Sequence, residues 1–211
     1  GIVIPNPNAP TGVFEDIGMF EEIIAANPGS VVIVDEAYVD FGGRSVLPLL
    51  EKYENLMVVQ TFSKSRALAG LRVGYAIANE KLTGYLKDVK FSFNSYTMNM
   101  PAIEMGTAAV LDDAYFKETV GKIVKTREWT KAELSRLGFS FADSMSNFLF
   151  VTHKQVPADR IFAALKENGI YVRHWNRPRI DNYLRVTIGT DEQMRALVAF
   201  LEKYLQEENN D

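Results

Sequence analysis

Six side chains in the first third of the chain carry groups able to do chemistry together: the carboxylate of Asp35, the phenol of Tyr38, the hydroxyls of Thr61 and Ser63, the amine of Lys64 and the guanidinium of Arg72. An amine is a nucleophile and a carrier of protons. A planar, permanently charged guanidinium beside two hydroxyls suits an oxyanion. Taken singly, each has an ordinary explanation. An aspartate at the end of a strand caps the next turn, a lysine belongs at the surface because it is rarely buried, and a lone arginine is a solvated charge. The spacing is what gives the set weight: an acid, a tyrosine three residues on, a Thr-x-Ser-Lys turn and an arginine eight residues past the lysine.

These groups need elements to carry them. Val31-Val32-Ile33-Val34-Asp35 is a β-branched run of the kind found in strands buried on both faces. Leu56–Thr61 repeats the type, and Ile2–Ile4 and Gly74–Ala78 are two further strands. A helix from about Asp16 to Ala26 is stopped by Asn27-Pro28-Gly29. Alternating strands and helices predict an α/β fold with a mostly parallel sheet. In such sheets, sites form just past the carboxyl ends of the strands. Asp35, Tyr38, Thr61, Ser63 and Lys64 all fall there.

Beyond about Leu82 the pattern becomes helical, with helices over Met100–Leu111 and Tyr115–Leu137. A smaller α/β unit follows, with strands near Phe139–Phe141, Phe148–Val151, Ile170–His174 and Leu184–Ile188, and helices over Ala158–Asn168 and Asp191–Gln206. The expected boundary lies inside the long helix, giving domains 1–120 and 121–211. Phe91, Phe93 and Tyr96 either line the mouth of the site or a subunit contact or, by default, pack in a core, and the acidic tail Glu207–Asp211 is expected to fray.

Composition narrows the function classes. Hydrophobic residues make up 47% and charged residues 24%, an ordinary globular mixture. Lys plus Arg number 23 against 27 Asp plus Glu, so no basic excess is available to follow nucleic acid. There is no cysteine, which excludes disulfides, thiolate metal sites and a cysteine nucleophile. The two histidines, His153 and His174, are too few for a His-rich metal centre and read as structural, so no metal is expected. No apolar run reaches the ~18 residues of a membrane span.

Together with Asn6-Pro7-Asn8-Ala9-Pro10-Thr11-Gly12 upstream and the run Ser63-Lys64-Ser65-Arg66-Ala67-Leu68-Ala69-Gly70-Leu71-Arg72-Val73-Gly74, the set resembles the fold-type I pyridoxal-phosphate aminotransferases. The resemblance implies a large cofactor-binding domain followed by a small C-terminal α/β domain, with pyridoxal 5'-phosphate as cofactor. It makes Lys64 the amine that holds the cofactor aldehyde and shuttles a proton. Asp35 becomes the partner of the ring nitrogen, Tyr38 a donor to the phenolic oxygen, and Arg72, Thr61 and Ser63 the phosphate contacts. Many members carry Asn directly before Pro-Thr-Gly; here that position is Ala9, with Asn8 one residue earlier. Two readings of Asn8 stand: a cofactor contact on a shifted backbone, or a turn-forming asparagine. The bonds preceding Pro7 and Pro10 are candidates for cis peptides.

In the smaller unit, Arg185 in Tyr183-Leu184-Arg185-Val186-Thr187-Ile188-Gly189-Thr190 resembles the arginine that grips the substrate carboxylate in this family. Arg173 lies on the preceding strand, and two arginines suit a dianionic phosphate better than one carboxylate. With Ser146-Asn147-Phe148-Leu149-Phe150, this looks most like the histidinol-phosphate aminotransferases. Asn147 is then either near the substrate or a strand-leading turn residue. Arg177 and Arg179, flanking Pro178, read as solvated charges. The implied reaction is transamination between histidinol phosphate and 2-oxoglutarate in histidine biosynthesis, by a cytoplasmic homodimer with small-molecule partners and no membrane or nucleic-acid partner. Threonine-phosphate decarboxylation, aromatic transamination and an aminotransferase-like sensor domain of a transcription regulator are the competing readings.

The chain opens directly into the apolar run Gly1-Ile2-Val3-Ile4. The family's ring-stacking aromatic and its Gly/Ser phosphate cup precede the Asn-Pro motif and have no counterpart in these residues. An N-terminally shortened enzyme is therefore expected, with weak cofactor binding, negligible turnover and an unpaired apolar sheet edge prone to association.

Overall fold

The computed structural model describes residues 1–208. They form two units: Gly1–Asn8 with Phe14–Val120, and Ala9–Val13 with the residues from Gly121 onward.

The first unit holds strands β1 (Ile2–Pro5), β2 (Val32–Asp35), β3 (Leu56–Thr61) and β4 (Gly74–Ala78), hydrogen-bonded in the order β1-β2-β3-β4, with helix α1 (Ile17–Ala26) between β1 and β2. β1, β2 and β3 run parallel. β4 is antiparallel to β3, with Thr61 opposite Gly74. Between β3 and β4 lies only a loop with one short 3-10 turn at Ala69–Leu71, so the chain reverses instead of making the helical crossover that a parallel neighbour needs. Asp16 caps α1 by accepting from Gly18 N at 3.0 Å. Phe20 and Ile24, one helical turn apart, then meet Val32, Val34, Leu56 and Val58 in the core. Within β2, Val32 and Val34 are buried while Ile33 and Asp35 are half-buried, so this strand is fully covered on one face only.

Helix α2 (Glu80–Phe93), capped by Asn79, carries Leu82, Leu86, Val89 and Phe93 at helical spacing yet buries none of its residues. Helix α3 (Met100–Leu111) follows, and α4 (Asp113–Arg136) runs on past the end of this unit. The expectation of a core position for three aromatics is wrong: Phe91, Phe93 and Tyr96 are 62%, 89% and 95% exposed. They sit at and just beyond the end of α2, the helix with no buried face.

The second unit holds β5 (Phe139–Phe141), β6 (Phe148–His153), helix α5 (Ala158–Glu167), β7 (Arg173–His174), β8 (Leu184–Thr187) and helix α6 (Asp191–Glu208). Its strands lie in the order β5-β6-β8-β7 with every neighbour antiparallel. Leu149, Val151, Leu184 and Val186 line one face of the sheet, and Ile161 and Leu165 of α5 and Met194, Leu197, Leu201 and Leu205 of α6 pack on it. The α6 positions recur every three or four residues, as a helix with one buried face requires. β7 is shorter than expected: Ile170 and Val172 pack against this core, but pairing begins only at Arg173. Glu207 and Glu208 of the acidic tail are helical, with Arg160 paired to Glu208 at 2.9 Å. Residues 209–211 of that tail lie outside the described residues. Among the described residues no helix is long and apolar enough to cross a membrane.

Candidate active site

In the first unit, β2 and β3 are adjacent and parallel, so their carboxyl ends bring Asp35 and Thr61 to the same edge of the sheet. Asp35 Oδ1 accepts the Ala37 N–H at 3.0 Å, the turn-capping role available to any strand-end aspartate; Oδ2 has no hydrogen bond among the described residues. Tyr38 follows on the turn. Lys64 Nζ lies 5.4 Å from the centroid of its ring and has no hydrogen bond or ion pair among the described residues. Lysine, carboxylate and phenol are thus presented from neighbouring strand ends, and among the described residues no acid engages the lysine.

The loop that carries Lys64 is held from several sides. Thr61 Oγ1 lies 3.0 Å from Ser63 Oγ and 3.2 Å from Val73 O, and accepts the Ser63 N–H at 3.1 Å. Phe62 N–H bonds Val73 O at 3.1 Å, and Leu68 N–H returns to Phe62 O at 3.0 Å. Ser65, buried, donates to Asp40 Oδ2 at 2.5 Å. Arg66 donates to Ala109 O near the end of α3 and lies over the rings of Phe62 and Phe116 at 5.6 and 4.2 Å. The residues on both sides of Lys64 are therefore fixed while its own amine is left available. Arg72 closes the loop in a left-handed conformation (φ 58°), exposed, with Nη1 bonded to Ala69 O at 2.8 Å. It stands two residues before Gly74, the register partner of Thr61.

Behind the site, Glu36 is 2% exposed and accepts from Val46 N, Ser45 Oγ and Gln60 Nε2, each at 2.7 Å. Gln60 Oε1 accepts from Tyr75 at 2.5 Å; burial, and then the charge of Asp40, push the Tyr75 phenol up. The alternation of a strand carries a signal for Glu36: when Asp35 points to one side, the next residue points to the other.

Asn6, also buried, uses its side chain to pair with both backbone groups of Glu15, at 2.9 and 3.1 Å. It thereby closes the base of the Asn-Pro segment in the first unit. Asn8, half-buried, is the last residue of that unit before Ala9. The Asn6-Pro7 and Ala9-Pro10 peptides are both cis. Ala9–Val13 packs in the second unit, where Met145 N–H bonds Gly12 O at 2.9 Å. Gly12 has φ 77°, and a Cβ there would strike Ser144, so only glycine fits this position.

In the second unit, Arg173 and Arg185 face each other across β7 and β8. Arg185 Nε is buried without a hydrogen-bond partner. A buried donor left open in this way is costly unless an acceptor completes it. Trp175, which sequence reasoning passed over, receives both guanidinium groups, 5.3 Å from Arg173 and 5.5 Å from Arg185. Asn147 precedes β6; its carbonyl accepts from Ile188 N at 2.9 Å and its side chain has no hydrogen bond among the described residues. Arg177 and Arg179 are exposed, and Arg179 lines a cavity of about 440 Å³ with Phe150, Thr152, Ile180 and Tyr183. His174 is structural: its Nε2 lies 2.7 Å from Asp181 O and its ring tilts on Phe162. Buried His153 Nε2 lies 3.1 Å from Leu137 O, while Nδ1 faces the N–H groups of Val156 and Gln155.

The aminotransferase class I and II family model matches residues 1–201. The chain belongs to that family. It is 52% identical over 206 residues to a histidinol-phosphate aminotransferase of Lactococcus lactis subsp. cremoris (strain SK11), covering 98% of this chain and 58% of that protein. It is 53% identical over 199 residues to one of Brachyspira hyodysenteriae, covering 94% of this chain and 56% of the relative. Among solved structures, a putative histidinol-phosphate aminotransferase from Erwinia carotovora atroseptica superposes with a TM-score of 0.89 at 27% identity, over 98% of this chain and 60% of the other. The α/β fold of this family member, with its mostly parallel first sheet, is thus that of known aminotransferases. The chain spans rather more than half the length of the curated relatives it matches.

Proposed function

We propose that this chain carries the lysine-bearing part of an aminotransferase that moves an amino group between histidinol phosphate and 2-oxoglutarate, using pyridoxal 5'-phosphate, in histidine biosynthesis. The observation that carries the reading is an amine without an acid partner, Lys64, set beside Tyr38 at the strand ends where Asp35 keeps one carboxylate oxygen open. The donor set fits the cofactor: an amine for its aldehyde, a carboxylate for its ring nitrogen, a phenol for its ring oxygen, and hydroxyls with a guanidinium for its phosphate. When bound, the cofactor supplies an electron sink for the bond broken at the substrate carbon.

The chain's own residues do the rest. Lys64 would hold the cofactor's aldehyde through its amine and would carry a proton at Nζ. Asp35 Oδ2 holds a proton at the ring nitrogen. Tyr38 would donate to the phenolic oxygen, and Asn8 of the Asn-Pro segment would be a further cofactor contact. Thr61, Ser63 and Arg72 hold the phosphate. Arg173 and Arg185 would take the anionic end of the substrate, with the open Nε of Arg185 as one donor and Asn147 as a further substrate contact. The identity of the substrate rests on the names of the relatives; assembly as a cytoplasmic homodimer is what the resemblance to the family implies.

Borohydride reduction of the chain with pyridoxal phosphate, followed by peptide mapping, tests the lysine. The label is expected at Lys64 and lost in Lys64→Arg. Labelling spread evenly over surface lysines counts against the reading. Supplying histidinol phosphate, an aromatic amino acid or threonine phosphate to the complete enzyme then tests the substrate. Amine transfer from the aromatic amino acid alone, or carbon dioxide from threonine phosphate, moves the assignment.

A further inference from the structure

Arg173 and Arg185 stand directly opposite one another on neighbouring antiparallel strands, where like charges repel. Such a pair is normally relieved by a carboxylate between the two cations, and among the described residues neither guanidinium has an ion-pair or hydrogen-bond partner. An indole takes that place. Trp175 comes two residues after Arg173 and lies 5.3 and 5.5 Å from the two guanidinium carbons. Phe148 supports Arg185 at 5.0 Å, and Phe150 meets Trp175 edge-on at 6.1 Å. Phe150 in turn stacks on Tyr183, 4.7 Å between centroids, so the indole is backed by packed rings.

The difference between a carboxylate and an indole matters chemically. A carboxylate would relieve the repulsion by filling the N–H forks, and would repel an incoming anion. The face of an indole attracts both cations through its quadrupole and accepts no strong hydrogen bond from them. The donors stay open, as the unpartnered Nε of Arg185 records.

We propose that Trp175 is a positioning residue of an anion site, holding Arg173 and Arg185 together with their donors unfilled so that one phosphate monoester can bridge them. This rests on the reading above that the two arginines bind the substrate's anionic end. The test titrates inorganic phosphate into the 211-residue chain by calorimetry at fixed ionic strength. Trp175→Leu is expected to weaken binding about tenfold, and Trp175→Phe, which restores an aromatic face, to stay within about threefold of the starting chain. A second measurement uses Trp129→Phe, in which Trp175 is the remaining indole; its emission should change with phosphate along the same curve.

Equal phosphate binding by the starting chain and Trp175→Leu, with loss in Arg185→Gln, overturns the role of Trp175 and leaves the arginine site standing. Equal weakening by Leu and Phe also overturns it, since the aromatic face then does nothing. No saturable binding by the starting chain, or binding that survives removal of both arginines, overturns the anion site and the Trp175 proposal together. If Trp175→Leu does not fold, an unchanged Trp175 emission in Trp129→Phe decides against the proposal.

Discussion

In the first unit the loop around Lys64 is held by hydrogen bonds, Ser65 to Asp40 and Arg66 to the end of α3, with the buried acceptor Glu36 behind. In the second unit the charged pair Arg173 and Arg185 rests on rings, and among the described residues no polar group engages it. The cores differ in the same sense. The second unit surrounds its sheet face with α5 and α6, and Tyr171 is its one large apolar side chain among those exposed. The first unit leaves apolar side chains of α2 and α3 in solvent, among them Val89, Phe93, Met100 and Leu111. An element can thus be well formed and present chemistry precisely because a polar network fixes it, while much of its apolar surface stays uncovered. Where the core is closed, weak cation–ring contacts suffice to set the charged groups.

The largest expected effect is in the closed core. Leu149→Ala removes a fully buried side chain from the centre of the second unit and should cost about 3 kcal/mol. Urea unfolding followed by Trp129 and Trp175, which both lie in that unit, measures it; a loss below about 1 kcal/mol would break the contrast, because surface substitutions stay near that size. Next comes the polar network of the first unit. Glu36→Gln sets an amide NH₂ among three donors and should destabilise by about 2 kcal/mol. Hydrogen exchange of the β2 and β3 amides should rise selectively in that variant, and uniform exchange across both units would deny Glu36 a local role.

A pH effect comes third. Burial holds the His153 imidazole below its ordinary value of 6.5. The two backbone N–H groups facing Nδ1 need an acceptor there, which only the neutral ring with its proton on Nε2 provides. A depressed folded value means that the stability is fully present above the unfolded value and is lost as pH falls through the folded one. Unfolding of the second unit should therefore ease as pH drops below about 6.5, before carboxylates titrate. His153→Gln should flatten the slope, and an unchanged slope in that variant assigns it elsewhere. Smallest is Phe93→Ser, expected to alter stability by less than about 0.5 kcal/mol because the ring is in solvent. It should nevertheless reduce self-association and dye binding, measured by light scattering and fluorescence.

Much of the fold was legible. The β-branched runs marked β2 and β3, Asp16 and Asn27 marked the ends of α1, and the spacing of Met194, Leu197, Leu201 and Leu205 marked α6, since burial on one face imposes a period. The same logic explains the misses. α2 carries apolar residues at helical spacing, Leu82, Leu86, Val89 and Phe93, but none of them is buried, and Phe91, Phe93 and Tyr96 were given a core that the structure does not provide. Of the candidate site, the strand-end positions of Asp35 and Thr61 followed from the α/β pattern. Ser65, Asp40, Arg66 and Trp175 did not, because their partners are 25, 43 and 10 residues or more away or are reached only through strand pairing.

By itself, the sequence determined which segments become strands and helices, that acid, phenol, hydroxyls and amine fall at strand ends, and that the chain is an aminotransferase relative. Those are local properties: side-chain branching, turn chemistry and spacing along one chain. Only the tertiary structure decided that β4 runs backwards, that the arginines stand opposite each other with an indole against both, that Ala9–Val13 packs in the second unit, and that among the described residues no acid engages the Lys64 amine. Each depends on which distant residues meet, and register and packing set that, whereas composition along the chain does not.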